Sequence, residues 1–320
     1  MYNISKKHKD FILLLVKLVI VFGALYFIYH KLVHNQRLSF SEFQQQLSLL
    51  FSKNIWTLLL VLLFTDINWL LEIYKWEIVA SVEKKITFFE AFEQSLASLT
   101  ASLITPNKIG EYGAKALFFK KKSRKKIVVL NFIGNASQLA VTTFFGFMGI
   151  TYFIFHFSSN ISHFSIKKLL LFITITIVLF LILTKLRVFK TLKVYLTKIL
   201  TFLKSIPTEI YFKTIGLALL RYIVFTHQFY FLLKLFNVES DYITLINLLF
   251  CMYFLASVIP SLTIFDWAIK GSVALWIFSF IGLNELTIIT VTSLMWFLNF
   301  AIPALLGSIF IFNFRFVEEK

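Results

Sequence analysis

The residues most capable of chemistry lie in a short polar break, at positions 105–113, within an otherwise apolar chain. An acidic residue followed four positions later by a basic one lies on a single helix face, where the two side chains form an ion pair. The glycines at Gly110 and Gly113 are expected to let neighbouring backbone approach closely. The residues of this candidate site are Pro106, Lys108, Gly110, Glu111 and Lys115.

A helix that begins in this break would present free backbone N–H groups and the positive end of its dipole. Both features favour an anionic group such as a phosphate, and Lys108 and Lys115 would reinforce them. The break therefore predicts a binding site for an anion. A local salt bridge that only closes a hairpin is the alternative interpretation.

A second polar break, at positions 260–267, repeats this pattern. When the chain is shifted by 155 residues, Glu111 aligns with Asp266 and Lys115 aligns with Lys270. The match is informative because charged residues are scarce in the apolar parts of this chain. We therefore expect Asp266 and Lys270 to belong to the same binding site.

Two further ionisable residues, Asp66 and Arg221, fall inside apolar stretches and are equivalent under the same shift. A charged side chain within a bilayer is costly, so it faces the protein interior or water and pairs with another group. We expect Asp66 and Arg221 to form an ion pair that lines or locks the cavity. A purely structural pair that fixes helix register is an equally supported interpretation.

A membrane-embedded helical scaffold is needed to position these residues. Of the 320 residues, 58% are hydrophobic, which is more apolar surface than a soluble domain of this length could bury. A helix needs about 20 apolar residues to cross the hydrocarbon core. The pattern predicts an all-α polytopic membrane protein with six full transmembrane helices at 11–29, 54–76, 127–155, 167–185, 211–235 and 287–313.

The two polar breaks each predict a re-entrant helix pair instead of a simple span. The apolar segments 88–104 and 242–259 lead into them, and Pro106 and Pro260 disfavour continuous helix there. Irregular backbone at membrane depth is tolerated only where protein or a water-filled cavity satisfies it. The breaks are therefore expected to face a cavity.

The 155-residue shift also superimposes the order of the predicted helices. It divides a single integral membrane domain, residues 1–320, into one repeat at about 11–155 and a second at about 167–313. Each repeat would hold an odd number of full spans, so the second must run upside down relative to the first. Inverted repeats with interrupted helices are typical of transporters, which bind substrate between the repeats.

The distribution of basic residues predicts the orientation. The formal charge is +16, but the Lys and Arg residues lie in short loops between apolar spans, which argues against a nucleic-acid partner. They concentrate at 75–85, 120–126 and 185–213, whereas 156–166 has none. The positive-inside rule then places both termini in the cytoplasm.

Motifs for catalysis, cofactors or metals are not found in the sequence. The single cysteine, Cys251, lies in an apolar run, and no Walker A loop, nucleophile elbow, dinucleotide fingerprint or zinc motif is present. We expect no catalytic residue, no cofactor and no metal site. Transport driven by ATP would need a separate cytoplasmic partner, and the oligomeric state is left open.

The first break also carries a family resemblance. Residues 105–115, which follow a helix rich in small residues, resemble the Pro-x-x-x-Gly-Glu motif of the lysylphosphatidylglycerol synthase transmembrane-region family. The residues that match it are Pro106, Gly110, Glu111 and Lys115. The second motif of that family has a Pro, a glycine-rich turn and an acidic residue. Here Pro260 and Asp266 are present, but 262–265 lacks the glycines.

This family forms the membrane part of multiple peptide resistance factor proteins and also occurs as stand-alone bacterial and archaeal proteins. The resemblance implies a flippase-like translocator of an anionic or amphiphilic lipid in the cell (inner) membrane, with membrane lipids as its partners. Since the sequence contains no soluble aminoacyl-transferase domain, we expect no enzyme activity. The alternatives are a lipid-modifying membrane enzyme, with Glu111 or Asp266 as general base, and a scaffold without a substrate.

Overall fold

The structure is a computed structural model that describes residues 55–103, 105, 109–157, 188–259 and 266–314, together with Tyr26 and Ser48. All regular secondary structure in these residues is helical, as expected for the predicted fold class. Apart from Tyr26, the predicted spans at 11–29 and 167–185 lie outside the described residues. So do the centres of the two polar breaks, at 106–108 and 260–265.

The helices are numbered in chain order. They are α1 Ile55–Ala80, α2 Phe88–Ser102, α3 Ile109–Leu117, α4 Arg124–Phe157, α5 Val188–Ser205, α6 Thr208–Leu235, α7 Tyr242–Val258, α8 Asp266–Ser279, α9 Glu285–Trp296 and α10 Ile302–Asn313. A π-helical turn, Phe297–Ala301, joins α9 to α10 in one continuous helix of 29 residues. The predicted spans 54–76, 127–155, 211–235 and 287–313 correspond to α1, α4, α6 and the α9–α10 helix.

Among the described helices, α4, α6 and the α9–α10 helix are long and apolar enough to cross a membrane. The helices beside the polar breaks are shorter. α2 and α3 have 15 and 9 residues, so they extend about 22 Å and 14 Å at 1.5 Å per residue. Neither reaches across a hydrocarbon core of roughly 30 Å. The chain is therefore an all-helical protein of membrane type whose long helices are interleaved with short ones.

Local sequence determines where the short helices begin. α2 starts at a capping box, in which the Glu90 N–H donates to the Thr87 hydroxyl and the Thr87 N–H donates to the Glu90 carboxylate. α7 starts at Asp241, whose carboxylate accepts a 2.9 Å hydrogen bond from the Thr244 N–H. These caps satisfy N–H groups that the first helical turn leaves without a backbone partner.

α1 and α6 pack against each other and run antiparallel. Phe64 stacks on Phe231 with ring centroids 5.5 Å apart, and further along α1 the Glu72 carboxylate pairs with Arg221. Residue numbers therefore rise along α1 as they fall along α6. Under the 155-residue shift these two helices occupy equivalent positions in the two halves of the chain.

Each helix that leads into a break packs against the last long helix of the opposite half. Gly307 in α10 lies so close to α2 that a Cβ atom at this position would overlap the carbonyl oxygen of Leu96. Gly149 in α4 lies equally close to the backbone of Cys251 in α7. Small residues allow such close helix contacts in membranes. Leu96 and Cys251 are themselves equivalent under the 155-residue shift.

α3 folds back along α2. Gly110, at the start of α3, lies against the carbonyl oxygen of Ala101 near the end of α2. At the outer ends, Ile86 before α2 and Phe119 after α3 belong to one apolar cluster, which also contains Ile206. The two ends of the α2–α3 pair are therefore on the same side of the bundle.

That side also carries a dense group of basic residues. Lys126 forms a 2.8 Å ion pair with Glu83 in the α1–α2 turn, and its ammonium lies 5.7 Å from the ring centroid of Phe202 in α5. Partial burial alone would raise the pKa of Glu83, but the hydrogen bonds from Lys126 and Ser123 and the positive charges of Lys126 and Lys122 together lower this pKa. Other basic residues in this part of the chain are Lys84, Lys85, Lys120, Lys121, Lys122, Arg124 and Lys125. We call this side the basic end.

Candidate functional site

A cavity of about 630 Å³ lies between the two halves of the bundle. Four residues singled out by sequence for anion binding line it, namely Glu111, Lys115, Arg221 and Lys270. The other polar residues of the wall are Asn68, Glu72, Ser95, Tyr112, Asn135, Gln138, Thr142, Tyr222, Tyr253, Ser257 and Asn299. The structure thus brings the second helix of each interrupted pair, α3 and α8, to one cavity.

Glu111 and Lys115 form the ion pair that their spacing predicts, with Nζ and Oε1 3.0 Å apart. Lys115 is only 2% exposed. Its ammonium also donates to Asn131 Oδ1 at 2.9 Å and lies 4.3 Å from the ring centroid of Trp76. A lysine ammonium has three donors. With a carboxylate, an amide oxygen and an aromatic face around it, Lys115 anchors α3 in the wall.

The start of α3 is less open to an anion than its sequence suggests. The Gly110 N–H donates to the Thr105 hydroxyl at 2.8 Å, so the protein itself occupies one of the first-turn donors. The expectation of close backbone approach holds for Gly110, where a Cβ atom would overlap Ala101. For Gly113 it stays a prediction, since none of the described chain would lie within 4 Å of a Cβ atom there.

A second charged cluster lies between α1 and α6 and centres on Glu72. One of its oxygens, Oε2, lies 2.6 Å from Lys75 Nζ and 2.6 Å from Arg221 Nη1. Nε of Arg221 donates to Asn68 Oδ1 at 3.0 Å. The Lys75 side chain is 3% exposed and that of Arg221 is 25% exposed, so the two cations differ in their access to the cavity.

The predicted ion pair between Asp66 and Arg221 is wrong, because Glu72 occupies that position. Asn68 and Glu72 are four residues apart and share the face of α1 that packs on α6. Asp66 and Glu72 are six positions apart. At 100° per residue, the Asp66 side chain points about 120° away from the Glu72 side chain around the helix axis. Asp66 is exposed and does not contribute to the cavity wall.

On the other side of the cavity, Lys270 projects from α8. Its ammonium lies 5.3 Å from the ring centroid of Phe300, and both residues line the cavity. Asp266 is the first residue of α8, and its side chain lies outside the described structure. Pro106 and Lys108 lie outside it as well. The roles of these three residues remain predictions.

Asn299, in the π-helical turn, connects three helices at the cavity wall. Its Oδ1 accepts a 2.8 Å hydrogen bond from Asn68 in α1, and its Nδ2 donates to Gln228 Oε1 in α6 at 3.0 Å. Its backbone carbonyl accepts a 3.3 Å hydrogen bond from Nε1 of Trp69. π-helical turns often mark functional sites, and this one aims an amide into the bundle.

Among the described side chains at the cavity, cations outnumber carboxylates. The cations are Lys115, Arg221, Lys270 and, behind Glu72, Lys75; the carboxylates are Glu72 and Glu111. Ser95 and Tyr253 also line the cavity, but their hydroxyl oxygens are buried and, within the described chain, have no hydrogen-bond partner. The arrangement suits an anion that also accepts hydrogen bonds.

The sequence reasoning missed several of these residues. Asn68, Glu72 and Lys75 are spaced by four and three positions, the interval that places residues on one helix face. In an apolar helix, polar residues at this spacing indicate one polar face, so these three residues could have been identified from the sequence. Asn299 carried no comparable signal, because nothing in the local sequence marks the π-helical turn that orients it.

Comparison with known proteins supports a single assignment. Residues 14–310 match the model of a family described as the lysylphosphatidylglycerol synthase TM region. The match spans both halves of the chain and both polar breaks. A search of curated proteins finds no match.

Proposed function

Since the chain belongs to the lysylphosphatidylglycerol synthase transmembrane-region family, we propose that it is a membrane lipid translocator. In this proposal the cavity between the halves holds the anionic or amphiphilic head of the lipid. The observation that carries it is a cavity of about 630 Å³ among apolar helices, in whose wall cations from both halves meet.

The side chains best placed to hold the head are Arg221 and Lys270. The Arg221 guanidinium is partly accessible, and its planar fork suits two oxygens of a phosphate. Lys270 supplies a second cation from α8. Lys115 supports the wall, since protein groups already surround its ammonium.

The apolar part of the cavity wall supports a lipid over a water-soluble anion. Leu139, Val258 and Ile259 line the cavity and are exposed. In a bilayer this surface faces acyl chains. A lipid could therefore place its head beside Arg221 while its chains remain in the membrane.

We further propose that the chain has six spans and consists of two inverted repeats, about 11–155 and 167–313, each with a re-entrant helix pair. The antiparallel packing of the equivalent helices α1 and α6 supports this arrangement. So does the reciprocal packing of α2 on α10 and of α7 on α4. Alternating exposure of a site between inverted repeats is an established transport principle, and it would carry the head from one leaflet to the other.

The proposed location is the cell (inner) membrane of a bacterium or archaeon, with both termini in the cytoplasm. The basic end, with Lys126 and its neighbouring Lys and Arg residues, would face the cytoplasm by the positive-inside rule. The opposite end includes the α6–α7 turn, which carries Glu239 and Asp241.

We propose that this translocator has no catalytic activity of its own. An enzyme that used Glu111 as its general base would need this carboxylate free to abstract a proton, and Glu111 is instead engaged with the buried Lys115 ammonium. A scaffold without a substrate would not need a cavity whose wall carries cations from both halves. These observations favour translocation over both alternatives.

The proposal is tested by reconstituting the purified chain in liposomes with a fluorescent anionic phospholipid and following bleaching of the outer leaflet. The wild-type protein should move labelled lipid from the inner leaflet. Arg221→Gln should slow this by about tenfold or more, because it removes a partly buried charge partner. Asp66→Asn, on the outer face of the same helix bundle, is the matched control and should transport at the wild-type rate.

Two results would reject the translocator. One is wild-type protein that moves no more lipid than empty liposomes do, with its fold verified by circular dichroism. The other is a chemically altered lipid in chromatographed extracts of the same vesicles, which would establish an enzyme instead.

A further inference from the structure

The carboxylate of Glu72 is shared by two cations that differ in burial. Lys75 lies behind it, with a side chain that is 3% exposed, and Arg221 lies on the cavity side with a side chain that is 25% exposed. Both cations contact the same oxygen, Oε2, at 2.6 Å. The cation best placed to bind an anionic ligand is therefore already paired with a carboxylate of the protein.

We propose that Glu72 is a built-in competitor for the anionic head, and that a phosphate-bearing ligand binds by taking Arg221 away from it. This inference rests on the proposed function of the cavity. It identifies the group that the ligand must displace, and it makes Glu72 a determinant of affinity even though the carboxylate repels the ligand.

The surrounding contacts make this exchange feasible. When Arg221 turns to the ligand, Glu72 keeps the buried Lys75 ammonium, so no carboxylate is left without a counter-ion. The hydrogen bond from Arg221 Nε to Asn68 holds the guanidinium in place while its Nη atoms change partner. An Arg fork binds two phosphate oxygens, whereas its ion pair with Glu72 is formed through the single oxygen Oε2.

The exchange also has a consequence for the two halves of the bundle. Glu72 belongs to α1 and Arg221 to α6, so their ion pair ties the equivalent helices of the two halves together. A ligand that takes Arg221 would remove this charged contact between the two helices, while the hydrogen bond from Arg221 to Asn68 remains.

The test is a binding titration of the purified full chain in detergent, read from tryptophan fluorescence. The probe is a short-chain phosphatidic acid, with inorganic phosphate and a phosphatidylcholine of the same chain length as comparison ligands. The decisive variant is the double substitution Glu72→Gln with Lys75→Met, which frees Arg221 without changing the net charge of the site. It should bind phosphatidic acid about tenfold more tightly than wild type, since a charge-assisted hydrogen bond no longer competes.

Further variants separate direct competition at Arg221 from a general effect of removing an ion pair. Glu72→Gln alone should also bind more tightly, unless the unpaired Lys75 prevents folding, in which case the double variant carries the test. Glu209→Gln with Lys213→Met removes an exposed ion pair of α6 outside the cavity wall and leaves the Glu72–Arg221 pair intact, so affinity should change by no more than about twofold. Arg221→Gln should lose binding, both alone and combined with the double variant.

The inference is overturned if the double variant Glu72→Gln with Lys75→Met binds no more tightly than wild type, or if Glu209→Gln with Lys213→Met tightens binding as much. If this happens while wild type still binds phosphatidic acid through Arg221, the proposed function stands and only the competitor role is lost. Absence of wild-type binding to phosphatidic acid would reject both. Equal binding of inorganic phosphate and phosphatidic acid would retain the competitor but reject a lipid as its ligand.

Discussion

Asn68 and Asn299 are joined by a 2.8 Å hydrogen bond from the Nδ2 of the first to the Oδ1 of the second, across 231 positions of the chain. Asn68 also accepts from Arg221, and Asn299 also donates to Gln228. A continuous row of polar side chains therefore crosses from α1 to α6 and the π-helical turn. It holds the cavity wall in an interior that is otherwise apolar.

Replacement of Asn299 should destabilise this junction. Asn299→Leu leaves the buried amides of Asn68 and Gln228 without their partner, at a cost of about 1–3 kcal/mol. The measurement is thermal unfolding of the purified protein followed by tryptophan fluorescence. Asn135→Leu is the matched control. Its half-buried amide makes a longer bond, 3.2 Å, to the Tyr112 hydroxyl, so its midpoint should fall less. Equal losses would contradict a central role for Asn299.

Lys115 is expected to act as a structural anchor. Lys115→Met leaves Glu111 as a carboxylate without its buried counter-ion, and breaking a buried pair costs about 3–5 kcal/mol. Adding Glu111→Gln should recover part of the loss, which a double-mutant cycle measures by thermal unfolding. Lys213→Met is the control, because Lys213 pairs with Glu209 at the same spacing on an exposed surface. No recovery in the double variant would show that the pair is not the anchor.

The contact between α2 and α10 should tolerate no added side chain at Gly307. Gly307→Ala places a methyl group against the Leu96 carbonyl and disturbs the 2.8 Å hydrogen bond from the Thr100 hydroxyl to Ala304. Over-packing of this kind costs about 1–3 kcal/mol. Gly216→Ala, in α6, is the control, since the described chain leaves open space around it. It should be neutral or stabilise by up to about 1 kcal/mol through helix propensity. The midpoint of denaturation compares the two.

Asp66 should prove dispensable for ligand binding. It is exposed and outside the cavity wall, so Asp66→Asn should leave the affinity for short-chain phosphatidic acid within about twofold of wild type. The same fluorescence titration measures it. A large loss would mean that Asp66 reaches the cavity in a conformation of the bundle other than the one described here.

The long helices could be predicted from the sequence because hydropathy and length decide them. The segment 211–235 corresponds to α6, which begins three residues earlier at Thr208, and 127–155 corresponds to α4 with similar agreement. Helix bounds are governed by local signals such as the capping box at Thr87. The packing partner of each helix depends on residues that are distant in the sequence, as at Gly307. No local sequence pattern predicts which surface a glycine will contact.

The candidate site was predictable where its geometry is local. Glu111 and Lys115 are one turn apart on a single helix, so their ion pair follows from spacing alone. Arg221 was identified as buried and charged, but its partner depends on which face of α1 packs on α6. The equivalence under the 155-residue shift pointed to Asp66, whereas the i,i+4 relation of Asn68 and Glu72 would have pointed to the correct face.

The reciprocal packing of the bundle has a consequence for how the protein is made. The face of α2 that receives Gly307 is synthesised roughly 200 residues before α10. At a translation rate of about 5–20 residues per second, α10 is synthesised on the order of ten seconds or more after α2. Neither half can complete these contacts alone, so the native packing of α2 forms only after most of the second half has been synthesised.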